Sequence, residues 1–201
     1  MPHVIQRTLV NNAIDRQIFI IYGKAGIGKS TLASQFPDPL FISTEPGLNH
    51  LELNKIDCYD WETFLRICDA LKNQSIKIIN KEGEEVIPKT IVIDTIDNLT
   101  SYCSAFICKR EGWDHPADPP QGKGWSTISS ELHFHIHTLV GNPYGYVFVS
   151  HDKIDTIRNT NMEYSHATIS LTGAGNRKVF LDLADIILYL SFEVHGGADV
   201  E

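Results

Sequence analysis

Residues 20–36, IIYGKAGIGKSTLASQF, constrain the fold of this chain more than any other stretch. A β-branched and aromatic run, QIFIIY (17–22), leads into Gly23, Gly26 and Gly28, and a helical pattern then stops before Pro37. That order suits a strand that hands over to a helix through a tightly wound loop. Gly23, four further residues and Gly28-Lys29-Ser30 fit the spacing G-x-x-x-x-G-K-[ST]. Glycines let successive backbone N–H groups turn inward at phosphate oxygens, and the helix start adds the positive end of its dipole. The expected phosphate-binding residues are Gly23, Lys24, Ala25, Gly26, Ile27, Gly28, Lys29, Ser30 and Thr31. Lys29 is expected at the β- and γ-phosphates and Ser30 at Mg²⁺, which makes ATP and Mg²⁺ the expected ligands.

Elsewhere short apolar runs alternate with helical patterns, the signature of an α/β fold with a mostly parallel sheet flanked by helices. Strands are expected at PLFIST (39–44), KTIVIDT (89–95) and YGYVFVSH (144–151). Helices are expected at 61–73, 98–112 and 126–141, the first with Phe64, Leu65, Cys68 and Leu71 on one face. IKIINKEGEEVIPK (76–89) alternates on both sides of Gly83 and reads as a small inserted β-hairpin. Residues 177–194 read as a short helical piece and a last apolar strand. The proline-rich stretch 113–125 reads as an irregular surface loop anchored by Trp113 and Trp125. Residues 152–168 are polar and show no pattern, so mobile loops are expected near 113–124 and 152–176. The whole chain, 1–201, is expected to be one domain with its core at about 15–192.

Seventeen Lys and Arg against 25 Asp and Glu give a net charge of −8, which argues against a surface coated in basic charge. A local groove of Lys and Arg remains compatible with that balance. Cys58, Cys68, Cys103 and Cys108 form no C-x-x-C pair and are expected as free thiols. HFHIH puts His133 and His137 on one helical face, but without a third ligand they read as surface histidines. No charged-then-apolar leader opens the chain, and no apolar run reaches the ~20 residues a bilayer needs. A cytoplasmic protein without a membrane partner is expected.

Two carboxylates complete the chemistry. TIVIDT ends a buried strand in Asp94, expected to hold Mg²⁺ together with Ser30. Thr95 follows, where many hydrolysing phosphate-loop proteins carry a glutamate. LFISTEPG instead puts Glu45 at the carboxyl end of the second strand, the edge where open α/β sheets bind ligands. A carboxylate there can take a proton from water beside a terminal phosphate, or it can cap the turn before Pro46.

GKAGIGKST, LFISTEPGLNHL, FLRICDALKN and TIVIDTIDNLT together resemble the RecA-like recombinase core. YVFVSHDK places Ser150-His151 where that family carries a polar γ-phosphate sensor. With GKGWSTISSEL and LADIILYL it looks more like the phage-encoded RecA-like P-loop ATPases, including those described as single-strand annealing proteins. The resemblance covers residues ~15 to 192. It implies ATP and Mg²⁺ at a subunit interface in a homo-oligomeric ring or filament, in a bacterial host cytoplasm. Lys29, Glu45, Asp94 and His151 are the implied catalytic residues, with Glu45 activating water and His151 sensing the γ-phosphate.

The resemblance also implies that the stretch after His151 faces single-stranded DNA. Here it carries Lys153, Arg158, Arg177 and Lys178, with Tyr164 available to stack on a base. A solvated loop is the alternative. Arg177 or Lys178 is the implied basic finger into a neighbour's nucleotide site. KAGIGKS also approaches the K-G-G-x-G-K-[ST] loop of partition-type ATPases, with Ala25 in place of a glycine. In that reading Lys24 reaches across a dimer; otherwise it is a solvated lysine. A nucleotide-gated DNA-binding module with dispensable hydrolysis is a further alternative.

Overall fold

Six parallel strands form the centre of the structure, a computed structural model that describes residues 14–159 and 162–192. The phosphate-loop strand is β1 (Ile18–Gly23), followed by a short helix α1 (Lys29–Ala33), β2 (Pro39–Ser43) and β3 (Asn54–Asp57). Then come α2 (Trp61–Lys72), the paired strands β4 (Ile78–Ile79) and β5 (Glu85–Val86), β6 (Thr90–Asp94) and α3 (Ile96–Glu111). The remainder is α4 (Lys123–Val140), β7 (Gly145–Asn159), β8 (Met162–Ile169), α5 (Ala174–Leu181) and β9 (Ile186–Leu190). The strand order is β3-β2-β6-β7-β1-β9, with β8 antiparallel to β7, and β4 and β5 form the separate expected hairpin.

Both faces of a parallel sheet must be covered, which is why its strands read as continuous apolar runs. Ile20, Ile42, Ile93 and Phe148 face one side, where α2, α3, α4 and α5 contribute Trp61, Leu99, Leu132 and Phe180. Phe19, Ile21, Phe41, Val92 and Val149 face the other, against Ala33 and Leu48. The cover is therefore lopsided, and the thin side carries the phosphate loop.

Local chemistry sets the helix ends. Asp60 caps α2, its Oδ1 accepting from Thr63 N at 2.6 Å. The cap fixes the phase, so the buried stripe is Trp61, Phe64, Ile67 and Leu71, while Leu65 and Cys68 flank it. That corrects the expected face by one helical position. α3 starts two residues earlier than expected, which brings Asp97 and Asn98 into its first turn. α4 starts at Lys123, three residues earlier than expected, and Gly124 in its first turn lies so close to the Pro116 carbonyl that any side chain would collide with it.

The stretch before α4 carries local order. Asp118 Oδ2 accepts the N–H groups of Asp114 and His115 at 2.9 and 2.7 Å, and the His115 ring meets the edge of Trp125. The larger correction concerns residues 152–168. β7 runs on past the sheet and pairs with β8 from Asp152↔Ile169 to Asn159↔Met162, an antiparallel arm in place of a loop. Ile154, Thr156 and Thr168 favour strand, but a solvated arm has no core face and so shows no apolar alternation. β3 escaped notice for a related reason: its burial alternates between half-buried and exposed.

The side chains of Arg158 and Tyr164 lie outside those described, as do residues 193 and 194 of the expected last strand. All four cysteines are free thiols. Burial pushes Cys58 up to about 11 and Cys68 up to about 12, so both stay protonated and unreactive. His133 and His137 stack at 3.9 Å on the exposed side of α4. Among the described residues no helix is long and apolar enough to cross a membrane.

Candidate nucleotide-binding site

The sheet register gathers the expected residues at one edge. Gly23 lies level with His151, Asp94 with Val149, and Ser43 with Asp94. The carboxyl ends of β1, β6 and β2, with β7 at His151, thus open into one cleft of about 330 Å³. Lys29, Ser30, Thr31, Glu45, Asp94 and His151 line it, together with Ala25, Gly26 and Gly28 of the loop. Gly23 and Lys24 contribute carbonyl groups, and Ile27 packs back over Gly23.

Gly28 holds a left-handed conformation (φ 98°), and no side chain caps α1, which leaves the first N–H groups of that helix for a ligand. Lys29 Nζ donates to the carbonyls of Gly23 and Lys24, both at 2.9 Å, so the ammonium is fixed across the loop it serves. Burial pushes the Lys29 ammonium below the usual lysine range, while Asp94, Asp152, Asp97 and Glu45 oppose that shift.

Gly23 is constrained differently: a Cβ on it would strike the carbonyl oxygen of Leu190 in β9. Gly23→Ala is therefore expected to force β1 and β9 apart, at a cost of roughly 2 kcal/mol or more. Thermal unfolding checks this; an unchanged midpoint contradicts the close approach.

Ser30 Oγ donates to Asp94 Oδ2 at 2.5 Å, joining the loop to the end of β6. Burial raises the Asp94 carboxyl above the usual range, and the Ser30 bond only partly offsets it. The Asp94–Thr95 peptide is cis. Thr44 brackets it, accepting from Thr95 N at 2.7 Å and donating to Thr95 O at 2.9 Å. Among the described residues Thr95 Oγ1 is buried without a partner. Adjacent hydroxyl and carboxylate oxygens, with an unsatisfied hydroxyl next to them, are a donor set that fits a hydrated Mg²⁺.

Across the cleft, Asn98 Nδ2 donates to Glu45 Oε2 at 3.2 Å, and His151 Nε2 lies 3.9 Å from the same oxygen. Asp97 Oδ2 accepts the backbone N–H of His151 at 3.1 Å. Tyr102 OH donates to Thr44 O at 2.7 Å. Sequence reasoning missed Thr44, Asp97, Asn98 and Tyr102. Asn98 and Tyr102, four residues apart, share the side of α3 that meets the end of β2, whereas Asp97 meets β7 at His151.

The expected basic residues are less free. Lys153 and Arg177 both pair with Asp155, at 3.0 and 2.6 Å, at the root of the β7–β8 arm. Lys178 is exposed, with Asp182 at 4.0 Å. Lys24 is exposed at the mouth of the loop.

A KaiC-like protein from the hyperthermophilic archaeon Pyrococcus horikoshii OT3 superposes with a TM-score of 0.41 and 12% identity, over 80% of this chain and 81% of that one. The SPbeta prophage-derived uncharacterized protein YorG of Bacillus subtilis (strain 168) is 23% identical over 191 residues, 92% of this chain and 54% of that protein. This chain thus spans about half the length of that relative. The profile of the AAA domain family matches residues 15–200. Because that match runs nearly the whole length of the sequence, the chain belongs to the AAA domain family of P-loop ATPases.

Proposed function

We propose that this chain, as one domain, hydrolyses ATP and couples the cycle to single-stranded DNA in phage-type recombination, annealing or repair. One observation carries the hydrolytic reading: Glu45 and His151 face the Ser30–Asp94 pair within one cleft, and Lys29 is fixed beneath them. Lys29 holds the β- and γ-phosphates. Glu45 accepts a proton as the water oxygen bonds to the γ-phosphorus, and the bond to the β–γ bridging oxygen breaks with its electron pair leaving on ADP. Ser30 and Asp94 would hold Mg²⁺, which when bound would supply charge to neutralise phosphate oxygens.

His151 meets the γ-phosphate, and β7 continues from it into the arm. That continuity favours the arm as the element that answers nucleotide state at the DNA. Lys178, exposed on α5, reaches phosphate only by leaving Asp182, and Arg177 only by leaving Asp155. The site opens to solvent at its rim, which suits completion by a second copy in a ring or filament in the bacterial cytoplasm.

ATP turnover measured with and without single-stranded DNA tests this reading, alongside sizing with and without nucleotide. Stimulation by DNA and a fall of about 10²–10⁴-fold in Glu45→Gln are expected. Unchanged turnover in Glu45→Gln rejects the assigned base. The exposed Lys24 keeps the partition-type reading testable: Lys24→Ala abolishes turnover under that scheme and does little under this one. Annealing undiminished in Lys29→Ala would mark hydrolysis as dispensable.

A further inference from the structure

The geometry points to Asn98 as the positioning residue that sets the Glu45 carboxylate, an inference that rests on Glu45 being the general base. α3 grips the end of β2 at two places. Tyr102 OH donates to Thr44 O at 2.7 Å, and Asn98 Nδ2 donates to Glu45 Oε2 at 3.2 Å. Their spacing of four residues stacks both on one side of the helix. Tyr102 fixes the main chain just before Glu45, and Asn98 fixes the far end of the side chain.

Glu45 needs such a grip. Its side chain is 36% exposed, long and flexible, so packing alone does not choose its rotamer. Asn98 occupies Oε2, the oxygen that His151 Nε2 approaches to 3.9 Å. Among the described residues Oε1 has no hydrogen-bond partner and remains available to accept a proton from water. Asp97, the preceding residue on α3, accepts the His151 N–H at 3.1 Å. A single turn of helix therefore sets the proposed base and the proposed sensor relative to each other. The same helix begins two residues after Asp94, so the metal-binding end of β6 shares that reference.

Turnover and ATP affinity of Asn98→Ala, Asn98→Asp, Glu45→Gln and Asn98→Ala/Glu45→Gln test the inference. A misplacement of about 1 Å costs on the order of 10²-fold, so Asn98→Ala is expected to lower kcat about 10- to 100-fold. The Kd for ATP should stay within about twofold, because Asn98 is not placed on the phosphates. Asn98→Asp, the same shape with a repelling charge, is expected to lose at least as much while keeping a folded protein. In the Glu45→Gln background, adding Asn98→Ala should change the residual rate by less than about twofold, since both changes remove one unit.

An unchanged kcat in either Asn98 variant overturns the inference, as does an equal loss from Asn98→Ala in both backgrounds. Wild-type turnover in Glu45→Gln is a separate result: it rejects Glu45 as base, and Asn98 loses its role with it.

Discussion

Lys29→Ala protein is expected to hold ATP about 10²–10³-fold more weakly than wild type and to show no measurable turnover. Among the described residues Lys29 is the only lysine or arginine lining the cleft, where Glu45 and Asp94 already place negative charge. Without it, a triphosphate meets two carboxylates and no side-chain cation. Its Nζ is held by the carbonyls of Gly23 and Lys24 before any ligand arrives, so little side-chain freedom is lost on binding. The reason for using lysine is also the reason for its cost: the buried ammonium is disfavoured until phosphate neutralises it. Titration calorimetry with ATP and Mg²⁺ measures the effect, with circular dichroism as the check on folding. Affinity within a few-fold of wild type would remove Lys29 from the phosphates.

Asp94→Asn is expected to divide stability from function. Burial raises the Asp94 carboxyl, so in the range between about 3.9 and its raised folded value the native state binds more protons than the unfolded chain. Stability of the nucleotide-free protein from this group is therefore greatest below the unfolded value and declines as pH rises through the folded one. Above that folded value the charged carboxylate is a net burden. Asparagine keeps the shape and can still accept from Ser30, and it removes the charge. A gain on the order of 1 kcal/mol, or roughly 2–4 °C in Tm, is expected for nucleotide-free Asp94→Asn. The same variant should lose Mg²⁺-dependent tightening of ATP binding and about 10²-fold or more in kcat. Acidifying the wild type should weaken Mg²⁺-dependent binding from a pH above the ordinary carboxylate range, because a protonated Asp94 is a poor ligand. A destabilised Asp94→Asn, or an unaltered Mg²⁺ response, contradicts this account.

Particular residues show where reading the sequence succeeds. The Gly23 to Ser30 spacing and the Asp94 strand end were legible because each motif places its chemistry within a few residues of a strand terminus. The strands of the buried sheet were legible because both faces demand apolar side chains. The arm was not, since β7 past His151 buries no face and only pairing with β8 makes it strand. Asp97 and Asn98 were hidden because their partners, His151 and Glu45, lie 54 and 53 positions away and only the tertiary fold brings them together.

The order of residues alone determined the phosphate loop, its flanking strand and helix, and the class of sheet they enter, because these depend on local spacing and on which side chains avoid water. The tertiary structure decided what meets what. Glu45 and Asn98 stand 53 positions apart in the chain and Ser30 and Asp94 stand 64 apart, yet each pair is hydrogen-bonded. Lys153 and Arg177, both open to an arriving phosphate on paper, are engaged by Asp155. Such pairings follow from strand order and register, which the parallel packing of the whole sheet sets and no local segment encodes.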